Sequence, residues 1–206
     1  FIAIPAKIRN DARSIWAYLK QSLDGSMERW SRLRLMVVGP ENIGKTRLVR
    51  RLSRRDYSPL STDGVEVETF KMKLGKSKSS DGKLSQVEVR AYDFGGQEVF
   101  YPTHSFFIGP RSLYIAVFKL AADIDAINWQ SLEYWLRTIK LLANSDYGKP
   151  SVIVVGTHLD EFESRAPRES QAEILSAISK RIQALDNLVH IRNICFISNK
   201  SKKGID

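Results

Sequence analysis

From residue 33 onward the chain alternates apolar runs with stretches of helical period. LRLMVV, RSLYIAVFKL and SVIVVG are nearly continuous apolar runs, the pattern of strands covered on both faces. Between the last two, residues 127 to 142 place Leu132, Trp135, Leu136 and Ile139 at i, i+3, i+4 and i+7, a helix with one buried stripe. Trp129 and Trp135 therefore read as packing residues. A second helix over residues 168 to 186 turns Ile174, Ile178, Ile182 and Leu185 inward, and IRNICFIS supplies the last strand. VEVETFKMKL and LSQVEVRAYD flank GKSKSSDGK, whose Asp81-Gly82 pair suits a hairpin bend, so these two strands are expected to pair antiparallel. The pattern predicts a three-layer α/β domain with a mainly parallel sheet, one antiparallel hairpin strand and helices on both faces. Ahead of it, Ala12, Ile15, Trp16, Leu19 and Leu23 share one helical face. The expected division is a linker with an amphipathic helix over 1–30 and the main domain over 31–206.

Composition narrows the class. At 206 residues and 43% hydrophobic content the chain can bury one sizeable core. No apolar run approaches the roughly 20 residues of a membrane span, and FIAIPAKIRNDAR lacks the features of a secretion signal, so a cytoplasmic location is expected. The single cysteine, Cys195, lies in the apolar run ICFI and reads as a buried structural thiol. The net charge of +9 comes from clusters such as Arg47, Arg50, Arg51, Arg54 and Arg55. Such clusters suit solvated faces or an acidic partner; no nucleic-acid recognition motif accompanies them.

Three stretches carry chemistry. GPENIGKT, Gly39 to Thr46, fits G-x-x-x-x-G-K-[ST] between a strand and a helix. Gly39 and Gly44 let the backbone wrap a phosphate, Lys45 reaches the outer phosphates, and the Thr46 hydroxyl suits Mg²⁺. DFGGQE follows the strand LSQVEVRAYD: Asp93 can hold Mg²⁺ through water, Gly96 can offer its N–H to a γ-phosphate, and Gln97 can orient a water. THLD follows SVIVVG, and Asp160 can accept hydrogen bonds from guanine N1–H and the 2-amino group, which adenine does not offer; the alternative is an Asp that caps a helix. Thr62, ahead of the second strand, is a further hydroxyl for Mg²⁺ or an ordinary turn residue. His104 and Arg111 read as solvated side chains or partner contacts.

GPENIGKT, Thr62, DFGGQE, THLD and SNK stand in the order and spacing of the small Ras-like GTPases, and THLD with DFGGQEVFYPTH resembles the Roc domain of Roco proteins. The resemblance covers residues 33 to about 202. It implies a P-loop GTPase fold that binds GTP or GDP with Mg²⁺ and hydrolyses GTP slowly, as a switch within a larger signalling protein. It assigns nucleotide contacts to Gly39, Glu41, Asn42, Ile43, Gly44, Lys45, Thr46, Gly96, Thr157, His158, Asp160, Ser198, Asn199 and Lys200. Metal contacts fall to Thr46, Thr62 and Asp93, and water positioning to Gln97. It further implies leucine-rich repeats before the domain, a dimerising COR module after it, a possible homodimer and a final helix missing beyond residue 206. Segments 58–64 and 94–106 are expected to order on the γ-phosphate.

There are departures from the Ras pattern. Thr157 and His158 replace the Asn and Lys of N-K-x-D, as in Roc domains; Asn199 replaces the alanine of S-A-K; Glu41 and Asn42 stand where Ras has glycines. Glu41 places charge and bulk where an arginine finger would enter, and no built-in arginine is identifiable, so a weak intrinsic rate is expected. The rival reading is a non-hydrolysing nucleotide module that mediates dimerisation or scaffolding, and a more distant one is a basic phosphate- or nucleic-acid-binding protein.

Overall fold

A computed structural model describes residues 32–54, 62, 64–73, 86–97, 101–144 and 148–205. The linker helix, the Asp81-Gly82 bend and parts of segments 58–64 and 94–106 lie outside the described residues.

Six strands form one sheet: β1 (Arg32–Val38), β2 (Val65–Lys73), β3 (Gln86–Phe94), β4 (Leu113–Lys119), β5 (Ser151–Thr157) and β6 (His190–Phe196). Their spatial order is β2-β3-β1-β4-β5-β6. β2 pairs antiparallel with β3, and every other pair is parallel. The helices are α1 (Lys45–Ser53), the short α2 (Tyr101–His104), α3 (Trp129–Ala143), α4 (Leu159–Arg165) and α5 (Gln171–Gln183).

Alternation along the central strands builds two cores. Leu35 and Val37 of β1, with Ile115 and Val117 of β4, pack on Leu48 and Val49 of α1. Met36, Val38, Tyr114, Ala116 and Phe118 point the other way, onto Leu132, Trp135, Leu136 and Ile139 of α3, Phe162 of α4 and Ile178 and Ile182 of α5. Successive side chains of a strand face opposite sides, so a continuous apolar run is what a sheet covered on both faces requires. The three-layer arrangement follows. The α1 side is the thinner one: Leu33, Leu113, Ile153 and Cys195 there are only partly buried.

The stripe expected over 127–142 forms α3, opened by the Asn128 side chain, which accepts from the Ser131 N–H at 3.0 Å. Both tryptophans are structural, as expected. Trp135 is buried, and the Trp129 indole N–H donates to the Ile124 carbonyl at 2.8 Å. The helix expected over 168–186 is shorter: after Pro167 it starts as a 3-10 turn, Arg168–Ser170, and continues as α5 to Gln183. α4 carries no periodic signal, because its seven residues expose too few positions to repeat a stripe; Ala166 ends it, extended before Pro167.

Parallel strands put their carboxyl ends on one edge of the sheet. Val37 lies beside Asp93 in the β1–β3 register, and Gly156 beside Phe196 in the β5–β6 register. Asp93 is thereby fixed two residues from the start of GPENIGKT, and THLD beside SNK. No helix among the described residues is long and apolar enough to cross a membrane.

Replacing Trp135 by alanine removes the largest fully buried side chain of the α3 core and should cost about 3–5 kcal/mol of unfolding free energy. Urea unfolding reads this as a lowered midpoint at unchanged slope.

Candidate functional site

Residues 39–44 leave β1 and turn into α1, whose first residue is Lys45. The turn needs left-handed backbone at Asn42 (φ 59°) and Gly44 (φ 89°). Asparagine enters that region more readily than most residues, which explains how it replaces a glycine at 42. α1 has no side-chain cap, so its first N–H groups face outward with the positive end of the helix.

Three side chains bond to the carbonyls of this loop. The Lys45 ammonium donates to the Pro40 carbonyl at 2.6 Å. The buried Thr157 hydroxyl lies 2.8 Å from the Ile43 carbonyl and 3.1 Å from that of Phe118, and 3.0 Å from His158 Nδ1. The Asn199 amide donates to the Gly44 carbonyl at 3.0 Å.

Beside the loop, oxygen atoms converge. Thr46 Oγ1 is 3.0 Å from Thr62 Oγ1, and Thr62 donates to Asp93 Oδ2 at 3.2 Å. Asp93 is buried, and its other oxygen, Oδ1, has no hydrogen-bond partner among the described residues. An orphaned buried carboxylate oxygen next to two hydroxyls is a hard-oxygen set that fits Mg²⁺ sharing its shell with phosphate and water. No group of three His, Cys, Asp or Glu among the described residues makes a protein-only cage.

Burial unsettles both charges here. Loss of solvent pushes the Lys45 ammonium down to about 8, with Asp93 and Glu41 opposing the change. Loss of solvent raises the Asp93 carboxyl, against hydrogen bonds from Thr46 and Thr62 and the charge of Lys45. Each supplies counter-charge to the other, and loss of solvent outweighs that attraction for both.

The DFGG segment closes over the loop. A Cβ on Gly96 would lie 2.3 Å from the Glu41 nitrogen, so this backbone contact admits only glycine. The Gly95 N–H donates to the Gly64 carbonyl at 2.7 Å, joining the segments around Thr62 and Gly96. His104 is a correction to the sequence reading: it is fully buried, edge-on to Phe94 at 4.7 Å and stacked on Trp135 at 5.8 Å. Burial, with the Lys45 charge, lowers its imidazole to about 4. It is a neutral core residue. Arg111 is exposed, with φ 64°.

At the other end, Asp160 stands in the first turn of α4, and the N-cap is His158 (φ 61°). The capping alternative for Asp160 is therefore not met. Its Oδ1 accepts the Ser198 hydroxyl at 2.6 Å, and that bond holds the carboxyl below its usual range. Ser198 Oγ also accepts from the N–H groups of Lys200 and Ser201. The Arg51 guanidinium donates twice to the Asn199 carbonyl, at 3.3 and 3.1 Å, a contact with no signal in the sequence.

Between these ends lies a cavity of about 380 Å³. Glu41, Asn42, Gly44, Lys45, Thr46, Thr62, Gly96, His158, Asp160, Asn199 and Lys200 line it. Gly39, Ile43, Asp93, Thr157 and Ser198 stand behind that wall, and Gln97 follows Gly96 half-buried and outside the lining. Arg47 and Glu161 also line the cavity, and no motif position marks them. Cys195 is half-buried rather than buried, and burial raises its thiol, so it stays protonated at neutral pH.

This geometry meets the comparisons with known proteins. Residues 34–160 match the family model described as Ras of Complex, Roc, domain of DAPkinase. The chain belongs to the Roc family. Roc is a Ras-like GTPase family, and curated relatives are Roco-family kinases. The chain is 34% identical over 168 residues to the probable serine/threonine-protein kinase roco11 of Dictyostelium discoideum, a match over 74% of this chain and 10% of the relative. It is 31% identical over 208 residues to pats1 of the same organism (94% and 6%) and 28% identical over 163 residues to leucine-rich repeat serine/threonine-protein kinase 1 of Mus musculus (79% and 8%). The Roc domain thus spans a tenth or less of each of these relatives. The RocCORdC structure of Methanosarcina barkeri Roco2 bound to GDP superimposes with a TM-score of 0.58 at 28% identity, over 85% of this chain and 46% of that one.

The Lys45 shift has a measurable sign. Lys45 in the ligand-free loop loses its proton as pH rises through about 8, whereas a bound anion keeps it charged, so binding at higher pH takes up a proton. Affinity for pyrophosphate should be full below pH 8 and decline above it. Calorimetry at pH 8.5 in buffers of different ionisation heat should show proton uptake that Lys45→Ala abolishes.

Proposed function

We propose that this Roc domain is a Mg²⁺-dependent guanine-nucleotide switch that binds GTP and GDP and slowly hydrolyses GTP to GDP and phosphate. The observation that carries the reading is the buried Lys45 and Asp93, one cation and one carboxylate at the mouth of an anion-binding loop, with the hydroxyls of Thr46 and Thr62 beside them. The GDP-bound Methanosarcina barkeri neighbour supports a diphosphate in this place.

Each residue has a role in that reading. Loop N–H groups and Lys45 bind the phosphates, and Gly96 offers its N–H to the γ-phosphate. Thr46, Thr62 and Asp93 would hold Mg²⁺, which when bound offsets phosphate charge. Gln97 orients the attacking water. The β–γ bridging bond breaks, GDP leaves with the bridging oxygen, and water supplies the fourth oxygen of phosphate. Glu41 adds negative charge near Lys45, where the γ-phosphate builds charge, and the slow rate is assigned to it. Asp160, with one oxygen tied to Ser198, keeps lone pairs for guanine N1–H and the 2-amino group. A COR-like domain, leucine-rich repeats and a second copy are the proposed neighbours in the longer protein.

Phosphate release in a single turnover tests hydrolysis. The parent with Mg²⁺ should release phosphate slowly, and Gln97→Leu should be slower by at least about tenfold. No release from the parent under any condition would favour a non-hydrolysing nucleotide module.

The base is tested separately. Asp160→Asn sets an amide donor against the guanine 2-amino group but matches the 2-oxo group of xanthine. Guanine affinity should fall by about 1–3 kcal/mol and the xanthine-to-guanine ratio should rise. An unchanged ratio in a folded variant would sink the guanine assignment.

A further inference from the structure

A backbone that offers several N–H groups to one anion must turn the matching carbonyls away from it, because the C=O and N–H of one peptide plane point in opposite directions. The plane between Gly44 and Lys45 is held in this sense by Asn199. Its amide nitrogen donates to the Gly44 carbonyl at 3.0 Å, on the lone pair left free by the α1 bond from the Leu48 N–H at 3.0 Å. The fit is tight: a Cβ on Gly44 would lie 2.7 Å from Asn199 Nδ2, so the amide reaches the carbonyl only over a glycine. Asn199 is itself held in place. It is 6% exposed, and Arg51 of α1 donates to its carbonyl through two nitrogens.

We infer that the Asn199 side chain is a positioning group for the phosphate loop and not a base contact: its amide fixes the Gly44–Lys45 peptide so that the Lys45 N–H faces the β-phosphate of a bound nucleotide. The inference rests on the nucleotide reading above and gives Asn199 a part that an alanine in its place could not play. The amide orientation is set by chemistry, since the reverse placement would oppose the Asn199 oxygen to the Gly44 oxygen. Its Oδ1 accepts no hydrogen bond among the described residues, so the donor side alone is engaged. The consequence is selective. Loss of the amide frees one N–H of the cradle and leaves Asp160 and Ser198, which meet the base end, as they are.

Asn199→Ala and Asn199→Ser, the latter too short to span to Gly44, separate the possibilities when GMP, GDP and a non-hydrolysable GTP analogue are titrated against parent and variants. Both variants should bind GDP and the GTP analogue about tenfold more weakly, the worth of one hydrogen bond in a buried site, and bind GMP as the parent does. Their xanthine-to-guanine ratio should equal the parent's, and both should unfold cooperatively, with nucleotide-free melting temperatures lower by only the few degrees that one hydrogen bond is worth. Equal losses for GMP and GDP would overturn the inference in favour of a base contact, and unchanged affinity for all three would make Asn199 a bystander. A parent that binds none of the three removes the nucleotide reading itself, an outcome distinct from either.

Discussion

The peptide group cannot turn its N–H toward a ligand without turning its carbonyl elsewhere, and a carbonyl turned into protein needs a donor. That constraint organises the carboxyl edge of this sheet. The Pro40, Ile43 and Gly44 carbonyls each receive a side chain, from Lys45, Thr157 and Asn199 respectively. Those donors arrive from three places: the first turn of α1, the end of β5 and the loop after β6. The parallel register that brings β5 and β6 level with β1 is therefore what shapes the loop, and the two packed cores are what hold the register.

A second constraint is electrostatic. Lys45 and Asp93 are buried beside each other's charge, yet loss of solvent outweighs that attraction, lowering the one and raising the other. Such an arrangement costs folding free energy, because desolvated charges are costly unless paired. On the proposed reading, a ligand that carries both signs, anionic phosphate with a divalent cation, would recover that cost on binding. His104 fits the same logic from the far side: it packs neutral between Phe94 and Trp135, so the element that follows Gly96 is seated by ring contacts and adds no second positive charge beside Lys45.

Much of this is legible in the sequence, and the rest is hidden for identifiable physical reasons. The sheet and α3 announce themselves because a continuous apolar run suits a strand covered on both faces, and an i, i+3, i+4, i+7 stripe matches the helical period and not the period of two. GPENIGKT, DFGGQE and THLD locate the cavity wall because glycines and oxygen side chains at fixed offsets from strand ends have a mechanical meaning. α4 escapes notice because seven residues hold too little periodicity, and α5 is drawn too long because Pro167 allows a 3-10 start that the apolar positions do not register. His104 looks solvated because its burial depends on Trp135 and Phe94, neither of them a helical neighbour. The Arg51 contact to Asn199 spans 148 positions, and no local pattern foretells it.

Thr157 and Asn199 show how a motif can keep its place while its residues change work. Thr157 belongs by position with the base-reading residues, yet its hydroxyl is wholly buried against the Ile43 and Phe118 carbonyls and the ring of its neighbour His158. Asn199, of the same group by position, reaches the loop and not the far end of the cavity. At the other end of the cavity Asp160 is half-buried, its Oδ1 tied to the hydroxyl of the buried Ser198. Side-chain bonds are thus concentrated on the carbonyls of residues 40–44, where low dielectric strengthens each of them. On the proposed guanine-nucleotide reading, the phosphates would supply affinity and the half-buried carboxylate discrimination, because a contact can be weak in absolute terms and still separate two bases that differ by a single donor.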